Sequence, residues 1–269
     1  MRIGAVNYLN SKPLVYGLER LAPHARVLYD LPSRLADSLS TGRLDVALIP
    51  SVEWFRGPDF TVVSDACVAC RGPVLSVKLH FRLPPSEVRR VALDEGSRTS
   101  AALTRILLAE LYGVHPHWEP LPIGCDASST NADAVLLIGD RAIQSTDGDF
   151  LEVWDLGERW LRWTGLPFVF AAWVARHGLP TSEIAATLSS ARDNGLRHLA
   201  EIAAREATPL GVPLELAGRY LRENLHFTLG REERAGLLRF HQLCVAHQLA
   251  PQSAITFPDG YSPDGCVIR

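Results

Sequence analysis

Two rhythms of hydrophobic and polar positions run along this chain. Short apolar runs bounded by turn residues read as strands, and apolar residues spaced four apart read as helices. RIGAV (Arg2–Val6) is a first strand, and PLVYGLERL reads as a short helix entered at Pro13, a favoured first-turn residue. ARVLYDLP is a second strand. PSRLADSLSTG then carries Leu35 and Leu39 on one helical face, with Ser33 as N-cap and Gly42 as C-cap. The apolar run from Val46 to Ile49 suits a buried parallel strand. TVVSDACVAC and PVLSVKLHFR follow as strands divided by Gly72 and Pro73. Arg90–Leu93 leads through a polar loop into an amphipathic helix from Ser100 to Tyr112, and HPHWEPLP is extended. ADAVLLIGDRAI is another buried strand with a turn at Gly139 and Asp140, and Phe168–Val174 is an apolar strand. From Thr181 the rhythm turns helical. TSEIAATLSSARDNGLRHLAEIAAREA predicts one long helix, interrupted at most at Gly195, with VPLELAGRYLREN and REERAGLLRFHQLCVAHQL as two more.

Strand and helix alternate as in an open parallel sheet, twice over. The layout predicts an α/β protein of two lobes with a cleft between them. The chain is expected to leave lobe one near Ser76–Arg82 and return near Phe168–Val174. That makes residues 1–80 plus 175–269 lobe one and residues 81–174 lobe two. Two crossing strands would form a hinge, and a hinge makes a ligand cleft.

Composition narrows the function. The 269 residues are 47% hydrophobic and 21% charged, with a net charge of −3. A globular protein without a nucleic-acid footprint follows, since that footprint needs clustered Lys and Arg. Only Lys12 and Lys78 are lysines; the other basic residues are arginines, as genome composition readily produces. Residues 1–9 read as a strand and its exit rather than a signal peptide, and no apolar run is long enough for a membrane span. A cytoplasmic location is therefore expected. Cys67, Cys70, Cys125, Cys244 and Cys266 are odd in number and form no disulfide framework. The Cys67–Cys70 pair has no second pair at zinc spacing and lies in a strand-like run, so it reads as packing. His115 and His117 flank a proline in a loop without acidic or thiol partners. Dinucleotide, P-loop and nucleophile-elbow motifs are lacking. Neither a metal nor a cofactor is expected. The tryptophans at 154, 160, 163 and 173 read as core and hinge packing.

Candidate chemistry gathers where strands end. Asn10 and Ser11 follow the first strand and offer uncharged donors and acceptors, as an Asx-turn also would. Ser51 and Glu53 follow DVALIP, at the strand end where open α/β sheets hold ligands. Glu53 is a candidate base, or else a first-turn glutamate that complements the helix dipole. In DEGSRTSAAL, Ser97, Arg98, Thr99 and Ser100 begin a helix whose free N–H groups suit a carboxylate, although a hydroxyl cap alone accounts for one of them. Ser76 on the outgoing crossover, and Gly139 with Asp140 at a strand end, face the same expected cleft.

VNYLNSKPLVYGL, LDVALIPSVEW, GPVLSVKL, VALDEGSRTS, ADAVLLIGDRA and WTGLPFVFAAW stand in this order. Together they resemble the MqnA family, the chorismate dehydratases of the futalosine route to menaquinone. The resemblance spans residues 2–175, and the C-terminal helices fit it. It implies a type II periplasmic-binding-protein fold and conversion of chorismate to 3-[(1-carboxyvinyl)oxy]benzoate with loss of water. It also implies a functional role for Asn10, with Ser76 and the Ser97–Ser100 turn as substrate contacts. A sister family in the pathway makes 1,4-dihydroxy-6-naphthoate, but opens on a Ser-Pro-Cys-Pro-Asn-Asp-like motif where this chain has Asn7-Tyr8-Leu9-Asn10-Ser11. A small-carboxylate-binding protein without activity is the other alternative. For the dehydratase, Glu53, Asp140 or the substrate's own enolpyruvyl carboxylate stands as the base.

Overall fold

Covered on both faces, the apolar runs become strands. The computed structural model describes residues 1–57, 60–145, 150–179, 181–253, 255 and 257, and Cys266 lies outside them. β1 (Arg2–Val6), β2 (Arg26–Asp30) and β3 (Val46–Pro50) pair in parallel, with β1 between the other two. Every residue of β3 is buried, as an uninterrupted apolar run requires. β4 (Phe60–Cys70) extends this sheet. β5 (Val77–Phe81), β6 (Arg90–Asp94), β7 (His117–Leu121), β8 (Ala134–Ile138) and β9 (Glu152–Asp155) form a second one, in the order β7-β6-β8-β5-β9. β10 (Phe168–Arg176) returns to the first sheet between β3 and β4, antiparallel to both, and β11 (His226–Thr228) completes the order β11-β4-β10-β3-β1-β2.

The crossings differ from the expected ones. β5 pairs along its length with β8 and β9, and β10 with β3 and β4, so each strand belongs wholly to one sheet. Divisions at 80/81 and 174/175 would cut both strands. The chain instead passes between lobes in the segments 71–76 and 165–167. The first crossing is pinned by Asp155, whose carboxylate accepts from Val74 N at 2.9 Å and Leu75 N at 2.6 Å. Leu75 takes φ +60°, unusual for a branched side chain, and these bonds hold it there.

Helices cover both sheets. After β1 comes a 3₁₀ turn, Leu9–Val15, rather than a helix entered at Pro13. Ser11 Oγ bonds back to the carbonyls of Val6 and Tyr8 and tightens the chain. Gly17 at φ +73° then starts the single turn α1 (Leu18–Leu21). α2 (Pro32–Ser40) begins at Pro32, so Ser33 lies inside the first turn and Leu31 takes the cap position expected of Ser33. α3 (Ser51–Arg56) follows β3. α4 (Arg98–Tyr112) is capped by Ser97, which accepts from Ser100 N, and ends on Gly113 at φ +65°. α5 (Asp140–Gln144) and α6 (Leu156–Thr164) complete lobe two.

The expected long helix breaks at His198 into α7 (Ser182–Arg197) and α8 (Leu199–Glu206). Gly195 serves packing instead: a Cβ there would lie 2.0 Å from the Pro13 carbonyl oxygen, so its absence lets α7 rest on the first turn of the chain. α9 (Leu214–Arg219) runs into a π-helical turn, Tyr220–Asn224, before β11. α10 (Arg231–Ala246) packs on β10, α3 and α4. Trp154, Trp160 and Trp173 are fully buried, as packing roles predict. Among the described residues no helix is long and apolar enough to cross a membrane.

Candidate active site

A cavity lies between the lobes, at the carboxyl ends of the parallel strands of both sheets, where open α/β folds place ligands. Val6 ends β1 and Tyr8 follows it, Leu48 and Pro50 lie in β3, and Ile138 ends β8 with Gly139 after it. Asn10, Ser76, Ser97 and Ser100 supply its side-chain polarity with Tyr8. Valines, Pro32 and Phe170 make up much of the rest.

Each polar group is set by its local structure. Asn10 rides on the 3₁₀ turn that Ser11 closes. Ser76 ends the crossing segment; its carbonyl accepts from Gly139 N at 2.8 Å, and its buried Oγ makes no well-formed hydrogen bond. Gly139 sits at φ +68° with the Tyr8 ring 3.1 Å from where a Cβ would lie, so a side chain there would displace Tyr8. Burial and the neighbouring Asp94 push the Tyr8 phenol well above its usual range, which keeps it an O–H donor. Ser97 and Ser100 hydroxyls lie 2.9 Å apart at the start of α4, where unpaired N–H groups and the helix dipole favour an anion.

The other expected residues do not line the cavity; they hold the lobes together or close turns. Ser11 is buried in the first turn. Ser51 donates to the Val169 carbonyl at 2.8 Å and lies 3.3 Å from Thr99 Oγ1, which also accepts from Val52 N. Arg98 reaches from lobe two to Asp37 at 2.8 Å and Glu53 at 3.0 Å on lobe one. Glu53 is therefore engaged by Arg98 and Arg56 rather than turned inward. Asp140 accepts from Leu9 N at 3.2 Å across the lobes, and burial raises its carboxyl against that bond and Lys12.

These bridges describe a shut molecule. The cavity holds about 50 Å³, small for a ring-sized ligand, which would need the lobes to part. An outer cleft of about 570 Å³ shares Ser97 with it and carries Arg34, Arg98 and Arg105.

A family model described as menaquinone biosynthesis matches residues 1–246. The chain belongs to this menaquinone biosynthesis family. Within it, the chain is 36% identical over 256 residues to the chorismate dehydratase of Thermus thermophilus, covering 88% of this chain and 93% of the relative. It is 26% identical over 258 residues to the chorismate dehydratase of Campylobacter jejuni, covering 93% and 100%. Among solved structures, an Archaeoglobus fulgidus protein superposes with a TM-score of 0.76 at 14% identity, covering 92% of this chain and 97% of that one. The periplasmic aliphatic sulphonate binding protein of Escherichia coli gives 0.62 at 18% identity, covering 97% and 94%. At such identities the likeness concerns the fold alone, and the fold is that of periplasmic binding proteins. The family relatives are enzymes by name, and the motifs that suggested the family lie at the cavity: VNYLN bears Tyr8 and Asn10, GPVLSVKL bears Ser76, and DEGSRTS bears Ser97 and Ser100.

Four residues near the site escaped the sequence reading as functional: Tyr8, Pro32 and Phe170 in the lining, and Tyr220 behind it. Tyr8 stands inside a quoted motif. Tyr220 has no local signal, because a π turn leaves no mark on helical periodicity. Cys67 and Cys70 are buried thiols in β4, raised by burial, Cys70 to about 12. Among the described residues no group of three or more His, Cys, Asp and Glu is arranged to hold a metal ion.

Proposed function

We propose that the protein is a chorismate dehydratase. On this reading it is a carbon–oxygen lyase of the cytoplasm that turns chorismate into 3-[(1-carboxyvinyl)oxy]benzoate and water for menaquinone synthesis. The observation that carries the mechanism is the lining: no carboxylate, imidazole, amine or guanidinium is among the described residues that face the cavity. A protein base is thus disfavoured, and the substrate's enolpyruvyl carboxylate takes the proton from C3. The apolar wall supports this, since a carboxylate stripped of water binds a proton more tightly. The C3–H bond breaks, its electrons spread toward the ring carboxylate, and the C4 hydroxyl leaves with a proton as water while the ring becomes aromatic.

The residues present fit these demands. The start of α4, with Ser97 and Ser100, suits the ring carboxylate on which negative charge grows. Asn10 and Ser76 orient the C4 hydroxyl without adding charge beside a dianion. Ser51, Thr99, Arg98, Glu53 and Asp140 serve closure, which excludes water and fixes the near-attack geometry.

Incubation of the purified protein with chorismate tests the reading. The expected product is an aromatic species lighter by one water, and unchanged chorismate over a folded sample overturns it. Glu53→Gln separates Glu53 from the substrate as the source of the base. With the substrate as base, kcat stays within about threefold of wild type, whereas a fall of about a thousandfold marks Glu53 as the proton acceptor.

A further inference from the structure

Three distant parts of the chain meet behind the cavity. Asn10 comes from the first turn and Ser76 from the crossing segment, and both line the cavity. Tyr220 comes from the π turn of lobe one, is 1% exposed and is not itself part of the lining. Its phenol lies beside the side chains of both Ser76 and Asn10. The same turn is tied to the crossing segment a second time, through Asn224 Nδ2, which donates to the Pro73 carbonyl at 2.9 Å. π turns interrupt regular helical bonding and are found disproportionately at functional sites. Here the turn brings Tyr220 inward against the two polar groups that face the substrate.

We propose that Tyr220 is a positioning residue for the dehydration: from the protein side it sets the directions in which Asn10 and Ser76 present their polar atoms to chorismate. The proposal rests on the dehydratase reading. A neutral phenol both donates and accepts, so it can support each neighbour from the protein side and leave the cavity side of each open. Ser76 Oγ, buried and without a well-formed bond in the shut molecule, has that capacity free for the C4 hydroxyl. Burial holds Tyr220 in its neutral form throughout the neutral range, so it works as a fixed dipole rather than a proton carrier.

Tyr220→Phe keeps the ring and removes the hydroxyl. The expected result is a fall in kcat of about tenfold to a hundredfold with KM little changed and the melting temperature close to wild type. The same substitution added to Ser76→Ala then costs much less than it does alone, because its effect passes through Ser76. A wild-type kcat in Tyr220→Phe overturns the proposal, as does a loss that adds in full to those of both Ser76→Ala and Asn10→Ala. If Tyr220→Phe does not fold, Asn224→Ala loosens the same turn: a lower kcat at unchanged KM supports the proposal, and a wild-type kcat overturns it. Wild-type protein that leaves chorismate intact overturns the dehydratase reading and this proposal together, whereas an active wild type beside an unimpaired Tyr220→Phe overturns this proposal alone.

Discussion

Asn10 reaches the cavity from a turn that Ser11 closes by bonding back to Val6 and Tyr8, so its direction is fixed before any ligand arrives. Loss of a preorganised amide of this kind costs about a hundredfold in rate. Asn10→Ala is accordingly expected to lower kcat by about that factor in a chorismate assay, with an unchanged melting temperature. Asp140 offers a test of opposite character. Burial places its folded pKa above the unfolded value of 3.8, so the fold disfavours its charged form. That penalty is absent below the unfolded pKa and is fully present once the pH has risen through the folded one. Asp140→Asn keeps an acceptor for Leu9 N and removes the charge. Its melting temperature should exceed that of wild type at pH 7, and the gap should close as the pH falls through the carboxylate range. That Asn10, Ser97, Ser100 and Gly139 line the cavity was legible in the sequence because each follows a strand or starts a helix, and Ser76 because it lies on a crossover. Whether Glu53 turns inward was not, since that depends on Arg98 from the other lobe. Tyr220 was illegible for a related reason, because its neighbours are remote in sequence.

At the scale of elements, period and turn residues marked the strands well, since their apolar runs are short and bounded by Gly, Pro or Asp. The crossings were misplaced because Val77–Phe81 and Phe168–Arg176 read equally well as strands of either sheet, and only pairing partners decide. The break at His198 was also hidden, because the sequence around it keeps helical periodicity while the His198 backbone, at φ −122° and ψ 24°, leaves the helical range. Gly195 shows how packing overrides propensity. Glycine to alanine inside a helix ordinarily stabilises by about 1 kcal/mol. Here the added methyl would meet the Pro13 carbonyl at 2.0 Å, and the helix would have to lift off the turn that carries Asn10. Gly195→Ala should lower stability by about 1–3 kcal/mol, read as an earlier urea midpoint at unchanged slope.

At the scale of the molecule, closure depends on small bridges. Arg98 joins Asp37 and Glu53, Thr99 meets Val52 and Ser51, Asp140 meets Leu9, and His247 lies 2.7 Å from Glu110. Partly exposed ion pairs contribute little to stability, but they weigh more heavily on a balance between two similar states. Arg98→Ala should leave the melting temperature within about 2 °C of wild type, since a loss well under 1 kcal/mol shifts it no further. Small-angle scattering should show a larger radius for the unliganded variant, and KM should rise about threefold to tenfold as the shut state becomes rarer. The crossing segment adds a consequence of its own. Ser76 lies in a strip of chain that joins the two lobes and also lines the cavity, so on the proposed reading the substrate is held by the connection between the lobes itself. On that reading, a lookalike that fits the mouth but offers Ser76 nothing to hold should leave unchanged.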